Sequence, residues 1–190
     1  TFIALTLWLQ QGLGFSPVVA GMVTIPFALL SALSSWQSGL VVHRYGRVLV
    51  VAGLVLVLVG FGSLVGFGYV FPPAAIPWAV AIAMGIAGFG GGAVVSPNQT
   101  LMLEDIPPAQ GGLAGSIAQV GQRIGTAMGL AAVLSTLFAM VSRAGDVPLQ
   151  EAFLQGYSVA GIVAAGFALL SLVFALLDMR VRKEALPAET

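Results

Sequence analysis

The run VLVVAGLVLVLVGFGSLVGFGYV, residues 48–70, carries no charged side chain anywhere along its length. A helix rises 1.5 Å per residue, so roughly 20 apolar residues cross a hydrocarbon core of about 30 Å. The run is long enough for one crossing. It lacks the strict alternation of a barrel strand, and backbone exposed to lipid must bond within its own segment. It therefore reads as a membrane-spanning α-helix.

The same pattern extends outward in both directions. Asp, Glu, Lys and Arg are absent from Thr1 to His43, from Val48 to Leu103, between Arg123 and Arg143, and from Phe153 to Leu177. Of 190 residues, 58% are apolar and 7% charged. A soluble domain carries roughly a quarter charged residues, so this chain has too few to cover its surface in water. The formal net charge is zero, which argues against nucleic acid as a partner. There is no cysteine and one histidine, which excludes disulfides, thiol chemistry and the usual zinc site. Neither H-E-x-x-H nor G-x-S-x-G occurs, so no enzyme chemistry and no cofactor or metal is expected. Gly88-x-Gly90-x-x-Ala93 has the form of a dinucleotide fingerprint, but it closes an apolar helix instead of opening one after a strand.

Breaks fall where Pro, Gly and polar residues gather. They divide residues 1–178 into spans at about 1–11, 17–42, 48–70, 75–96, 113–141 and 153–177, with a tail at 179–190. The first span is too short for a full crossing and reads as a truncated helix. Alternation then places the loop His43–Arg47, the loop Asn98–Gly112 and the tail on one side. Five basic residues lie there, Arg44, Arg47, Arg180, Arg182 and Lys183, against Arg143 alone on the other. The positive-inside rule puts the first side, with the carboxy terminus, in the cytoplasm. Trp8, Tyr69, Trp78 and Tyr157 fall near the outer ends of spans, where amphipathic rings suit the headgroup layer. Asn98-Gln99-Thr100 matches a glycosylation sequon, but on the cytoplasmic side it has no such meaning. Pro17-x-x-x-Gly21 and Pro108-x-x-x-Gly112 occupy corresponding positions if three spans are repeated with inverted topology; proline starting a helix explains them equally well.

The fifth span carries the most chemistry. At 100° per residue Ser116, Gln119, Arg123 and Thr126 share one stripe, with Gln122 beside Arg123 in sequence. Gly121, Gly125 and Gly129 fall roughly opposite, at the spacing that lets a second membrane helix approach closely. Arg123 lies about 15 Å along the helix from Leu113. An intramembrane Arg costs on the order of 2.5–3.5 kcal/mol even on the lenient insertion scale. Two readings stand: it faces a wet cavity, carboxylate or anionic ligand, or it snorkels to the inner interface. In the loop Gly39–Arg47, Gly46 permits a tight reversal, and Arg44 and Arg47 can bind helix-end carbonyls, lipid phosphate or a carboxylate. His43 there can titrate near neutral pH or serve structure alone.

These residues resemble a known family. Gly39–Arg47 resembles the G-x-L-A-D-R-x-G-R signature between the second and third helices of each half of major facilitator transporters. Gly88–Pro97, then Pro107-Pro108-x-x-Gly111-Gly112-x-Ala114-Gly115-Ser116, then Gln122-Arg123-x-Gly125-x-Ala127-x-Gly129, resemble the fourteen-span drug:proton antiporters. The resemblance covers essentially the whole chain. It implies an all-α, six-helix carboxy-terminal bundle of two inverted three-helix repeats, with the first helix truncated and the amino-terminal half of the polypeptide missing. It also implies that the spans ending at Gln11 and Ser96 line a central cavity, with Thr6, Gln10, Gln11, Met84, Phe89 and Asn98 as candidates. Spans 17–42 and 113–141 would contact the other half through Ser116, Gln119, Gln122, Arg123 and the glycines Gly121, Gly125 and Gly129. The implied activity is proton-coupled efflux of small hydrophobic or cationic drugs across a bacterial plasma membrane. His43 departs from the family's Asp at the signature's charged position. The alternative functions are a non-transporting helical module or half-size subunit that dimerises, and a passive channel, for which no charged ring or filter sequence is present.

Overall fold

The computed structural model describes residues 2–104 and 106–185. Thr1, Asp105 and residues 186–190 lie outside the described residues, as do the side chains of Pro108, Arg182, Lys183, Glu184 and Ala185. Helix α1, Phe2–Leu7, widens into a π turn over Trp8–Gly12, where the Leu13 N–H donates to the Trp8 carbonyl at 3.0 Å. Helix α2, Pro17–Met22, starts on Ser16, whose Oγ accepts from the Val19 N–H, with Pro17 in the first turn where its missing N–H costs nothing. Pro26 explains the break that follows: it cannot donate to the Met22 carbonyl, and its ring crowds that group. Then come α3 (Ile25–Val70), α4 (Ile76–Met102), a short 3-10 turn (Pro108–Gln110), α5 (Gly111–Arg143) and α6 (Leu149–Ala185). Helix α5 stops at Ala144, followed by Gly145 at φ 57°, the left-handed position a glycine supplies at helix ends.

Helix α3 keeps helical backbone bonding over 46 residues, yet it is not straight. The rings of Phe27 and Phe61 stack with centroids 6.2 Å apart. Thirty-four residues of straight helix would separate them by about 51 Å. The chain therefore folds back on itself into two arms. Gly39 lies by Ser96, Gly46 by Leu101, and Gly53 by Gly90 and Val94, which places the reversal around His43–Arg47. The expected turn is there, but it is made without leaving the helical path. Other expected boundaries move: α4 runs on to Met102, so Asn98, Gln99 and Thr100 ride on a helix instead of in a loop, and α6 continues past residue 178 to Ala185.

Four stretches are long and apolar enough to cross a membrane: Pro17–Val70, Ile76–Met102, Gly111–Arg143 and Leu149–Val181. The first, being folded back, supplies two passes. The protein is an integral membrane protein built only of helices among its described residues.

Packing follows a reciprocal pattern. Helix α4 lies between the two arms of α3, while α1 and its π turn lie against α5 and α6. The first helix of each three-helix set thus packs on the second and third of the other, as an inverted repeat requires. The α4 contacts are backbone to backbone. A Cβ on Gly88 would land on the Phe27 carbonyl, and one on Gly92 on the Ser31 carbonyl; one on Gly60 would sit 2.6 Å from the Ala87 nitrogen. The Ser35 hydroxyl adds a bond to the Gly92 carbonyl at 3.3 Å. The side-chain core is concentrated at the other end of the bundle from Arg47, where Leu5, Trp8, Leu64, Val80, Met84, Leu137 and Tyr157 are fully or nearly fully buried. This will be called the Pro73 end.

Candidate functional site

At the Arg47 end two exposed ion pairs bridge the chain reversal. The Arg47 Nε donates to Asp178 Oδ2 at 2.9 Å, and its Nη2 lies 3.8 Å from Glu104 Oε2. One guanidinium so ties the turn of α3 to the final segments of α4 and α6. Of the three partners the sequence left open for Arg44 and Arg47, helix-end carbonyls, lipid phosphate or a carboxylate, Arg47 takes the carboxylate; nothing in the sequence pointed to Asp178, 131 positions away. Arg44 is exposed and stacks over the Tyr45 ring at 5.4 Å. His43 is exposed. Gly46 is buried and does not have positive φ; a Cβ there would come 3.2 Å from both Leu101 Cδ1 and Val42 Cγ2, side chains that would have to shift by a few tenths of an ångström. That corrects the expectation of a conformationally special turn residue. Gly39 is looser, its added Cβ 3.5 Å from Ser96 Oγ.

The Arg47 pairs are wet: the acids are 46% and 62% exposed. Exposed pairs contribute about 0.2–1 kcal/mol each. We expect Arg47→Ala to lower the melting temperature of the detergent-purified protein slightly at low salt, and the difference to vanish near 1 M NaCl, where the screening length is about 3 Å. A large, salt-insensitive loss would mean that Arg47 acts through packing instead.

The six candidate cavity residues are not gathered into one hollow. Met84 is fully buried in the core, because it lies on the face of α4 turned into the bundle; it offers no surface to a substrate and is corrected to a packing residue. Phe89 is on the opposite face and lines an apolar hollow of about 520 Å³ with Trp78, Ile82 and Leu30. Asn98 lines a different hollow of about 590 Å³ that also touches Arg47 and Asp178. On α1, Thr6 bonds to the Phe2 carbonyl at 3.0 Å, while Gln10 is half-buried and Gln11 exposed.

Helix α5 presents the opposite situation to α4. Ser116, Gln119, Gln122 and Arg123 are all exposed, and Arg123 has no ion-pair partner among the described residues. A Cβ added at Gly115, Gly121, Gly125 or Gly129 would meet nothing within 4 Å. Only Val133 and Leu137 of this helix are buried. Near its middle, Gly125, Thr126 and Gly129 form one wall of a groove of about 750 Å³, with Phe2 and Ile3 at its head and Phe167, Ser171 and Phe174 along α6. Ser171 and Phe174 also line the Asn98 hollow, so the two are neighbours along α6.

Two aromatic residues were misplaced by reading depth alone. Trp8 and Tyr157 do lie toward the Pro73 end, but both are buried and stack on one another, centroids 4.7 Å apart and planes 7° from parallel. Tyr69 and Trp78 remain exposed, as headgroup-level residues do.

Residues 1–190 match the Major Facilitator Superfamily. The chain is 29% identical over 148 residues to the Multidrug resistance protein Stp of Mycobacterium tuberculosis, a match covering 77% of this chain and 27% of that protein. It is 31% identical over 147 residues to the Multidrug efflux pump LfrA of Mycolicibacterium smegmatis, covering 74% and 27%. With the Tetracycline resistance determinant of Streptomyces rimosus the identity is 29% over 168 residues, covering 85% and 47%. The chain thus spans about a quarter of the length of the first two relatives. Given the fold-back of α3, the reciprocal packing of α1 and α4, and a family match along all 190 residues, the chain belongs to the major facilitator superfamily, a family of transporters and not of enzymes.

Proposed function

We propose that this chain supplies the carboxy-terminal half of a proton-driven exporter of small hydrophobic or cationic molecules, working by alternating access in a bacterial plasma membrane. The Arg47 end and the carboxy terminus face the cytoplasm, in keeping with the basic residues gathered there. The observation that carries this reading is the contrast between two glycine sets. Gly53 and Gly60 of α3 and Gly88, Gly90 and Gly92 of α4 are closed by neighbouring backbone, whereas those of α5 are open and stand beside an arginine with no ion-pair partner among the described residues. A membrane helix keeps open glycines and an intramembrane Arg where another helical unit or a wet cavity meets it. Here that unit is the other half of the transporter, with Ser116, Gln119, Gln122 and Arg123 at the seam. Relatives named for multidrug efflux and antibiotic resistance support the substrate class.

The test expresses the whole reading frame in a bacterial host stripped of its main drug exporters and follows ethidium accumulation. Cells carrying the protein should accumulate less dye than vector controls, and a protonophore should erase the difference. Equal accumulation of ethidium and of several chemically distinct antibiotics would remove the efflux reading; efflux that survives the protonophore would remove proton coupling only.

A further inference from the structure

The ion pairs that bridge the reversal of α3 leave two basic side chains over. Arg47 takes both carboxylates described at this end, Asp178 at 2.9 Å and Glu104 at 3.8 Å. Arg44 makes no ion pair among the described residues, and both it and His43 are exposed. The Arg44 guanidinium lies 5.4 Å from the centre of the Tyr45 ring, a cation–π distance that steadies the planar fork without using its N–H groups. His43 and Arg44 border a hollow of about 440 Å³ between the reversal and the end of α4, with Arg47, Thr100 and Glu104 on its other walls. The one carboxylate among these, Glu104, lies toward Arg47. The family signature has an acid where this chain has His43, so an imidazole stands where a counter-charge would sit beside Arg44.

The depth of this patch is set by the surface beside it. Trp36, Leu40 and His43 stand at i, i+4 and i+7 on one face of the first arm, and Trp36 and Leu40 are 67% and 70% exposed. Over about 10 Å that face passes from an indole through an aliphatic side chain to an imidazole, with Arg44 next in sequence. Val48, just past the turn, is exposed as well. A span shows such a gradient where lipid tails give way to headgroups. A free anion in water gains nothing from the apolar approach, whereas a phospholipid fills both parts of it. We propose that the reversal of α3 holds the headgroup of an anionic phospholipid of the adjoining leaflet. The phosphate accepts from the Arg44 guanidinium with His43 beside it, and the acyl chains lie along Leu40 and Trp36. Arg47 stays with its carboxylates, so the ion pairs across the reversal and the lipid contact use different arginines.

The experiment uses the full-length protein in phosphatidylcholine nanodiscs doped with a phosphatidylglycerol that carries a photoreactive diazirine on its headgroup. After illumination, peptide mass spectrometry maps the labelled residues. Label within residues 36–48 should rise saturably with the probe, and unlabelled phosphatidylglycerol should displace it where phosphatidylethanolamine does not. Arg44→Gln, and His43→Asp, which restores the acid of the signature, should each weaken the apparent affinity about fivefold, as expected for one charge at a lipid surface. Both positions are exposed, so both variants should keep the wild-type elution profile. Label spread without preference for this segment, or unchanged affinity in both variants, overturns the proposal. Displacement by inorganic phosphate at constant ionic strength would overturn it too, by assigning the patch to a free anion. The readout is lipid contact in the absence of transport, so this result stands apart from the efflux test.

Discussion

Gly92→Leu and Gly88→Leu are expected to abolish the folded protein, while Gly62→Leu leaves it intact. The physical difference is what a new side chain meets. At Gly88 and Gly92 even the first carbon lands on a carbonyl of the opposing helix, and the Ser35 nitrogen is 2.8 Å from the Gly92 position. Backbone cannot rotate aside as a side chain can, so the first arm of α3 must move away from α4 along its length. In lipid, where the tails are as apolar as the side chains, that close packing is the main source of association between helices. The cost falls in the class above about 4 kcal/mol that overpacked or broken cores produce. Gly62 is exposed with nothing within 4 Å of its added Cβ, and replacing a mid-helix glycine there gains up to about 1 kcal/mol of helix propensity. Size-exclusion profiles of fluorescent fusions, followed by thermal melts of whatever is monodisperse, separate the cases. A monodisperse Gly92→Leu protein with an unshifted melt would show that α4 is not wedged as described.

How far the sequence carried depended on which physical signal each feature leaves. The spans were legible because lipid demands long charge-free helices, and residues 48–70 admit no other reading. The reversal at His43–Arg47 was legible from its charges and Gly46, but its helical character was not, since a turn is normally inferred from a break in pattern. The end of α4 was placed too early because Ser96-Pro97-Asn98 has turn composition; within the bundle Pro97 is buried inside a helix that runs on, as membrane helices tolerate. Which face of a span is inward was the least legible feature. In a soluble helix polarity marks the outer face, but lipid and core are both apolar, so nothing in the sequence told Met84, buried, from Phe89, which lines an open hollow. The same blindness to rotation hid the Trp8–Tyr157 stack. Polar stripes escape this limit, and that is why Ser116, Gln119 and Arg123 were identifiable on α5 as a group.

Arg123→Ala should abolish efflux by the full-length transporter while leaving its fold and membrane insertion unchanged, and Arg123→Lys should retain part of the activity. The fold is spared because Arg123 is exposed and touches no ion-pair partner among the described residues, and because the half of α5 that carries it contributes no buried side chain. Removing the charge even lowers the insertion cost of the span, by on the order of 2.5–3.5 kcal/mol. On the proposed function, a residue that burdens insertion and supports no packing among the described residues acts through what it meets elsewhere: a carboxylate of the other half, or an anionic group in the transport path. Loss of such a partner when the halves rock removes one of the two states between which transport alternates. Lysine keeps the point charge but not the planar fork, so it restores attraction without bidentate geometry. The measurement is protonophore-sensitive ethidium efflux, normalised to membrane expression, for wild type, Arg123→Ala and Arg123→Lys. If the side chain merely snorkels to the inner interface, the alanine variant will pump as well as wild type, and the placement of Arg123 at a functional seam is wrong.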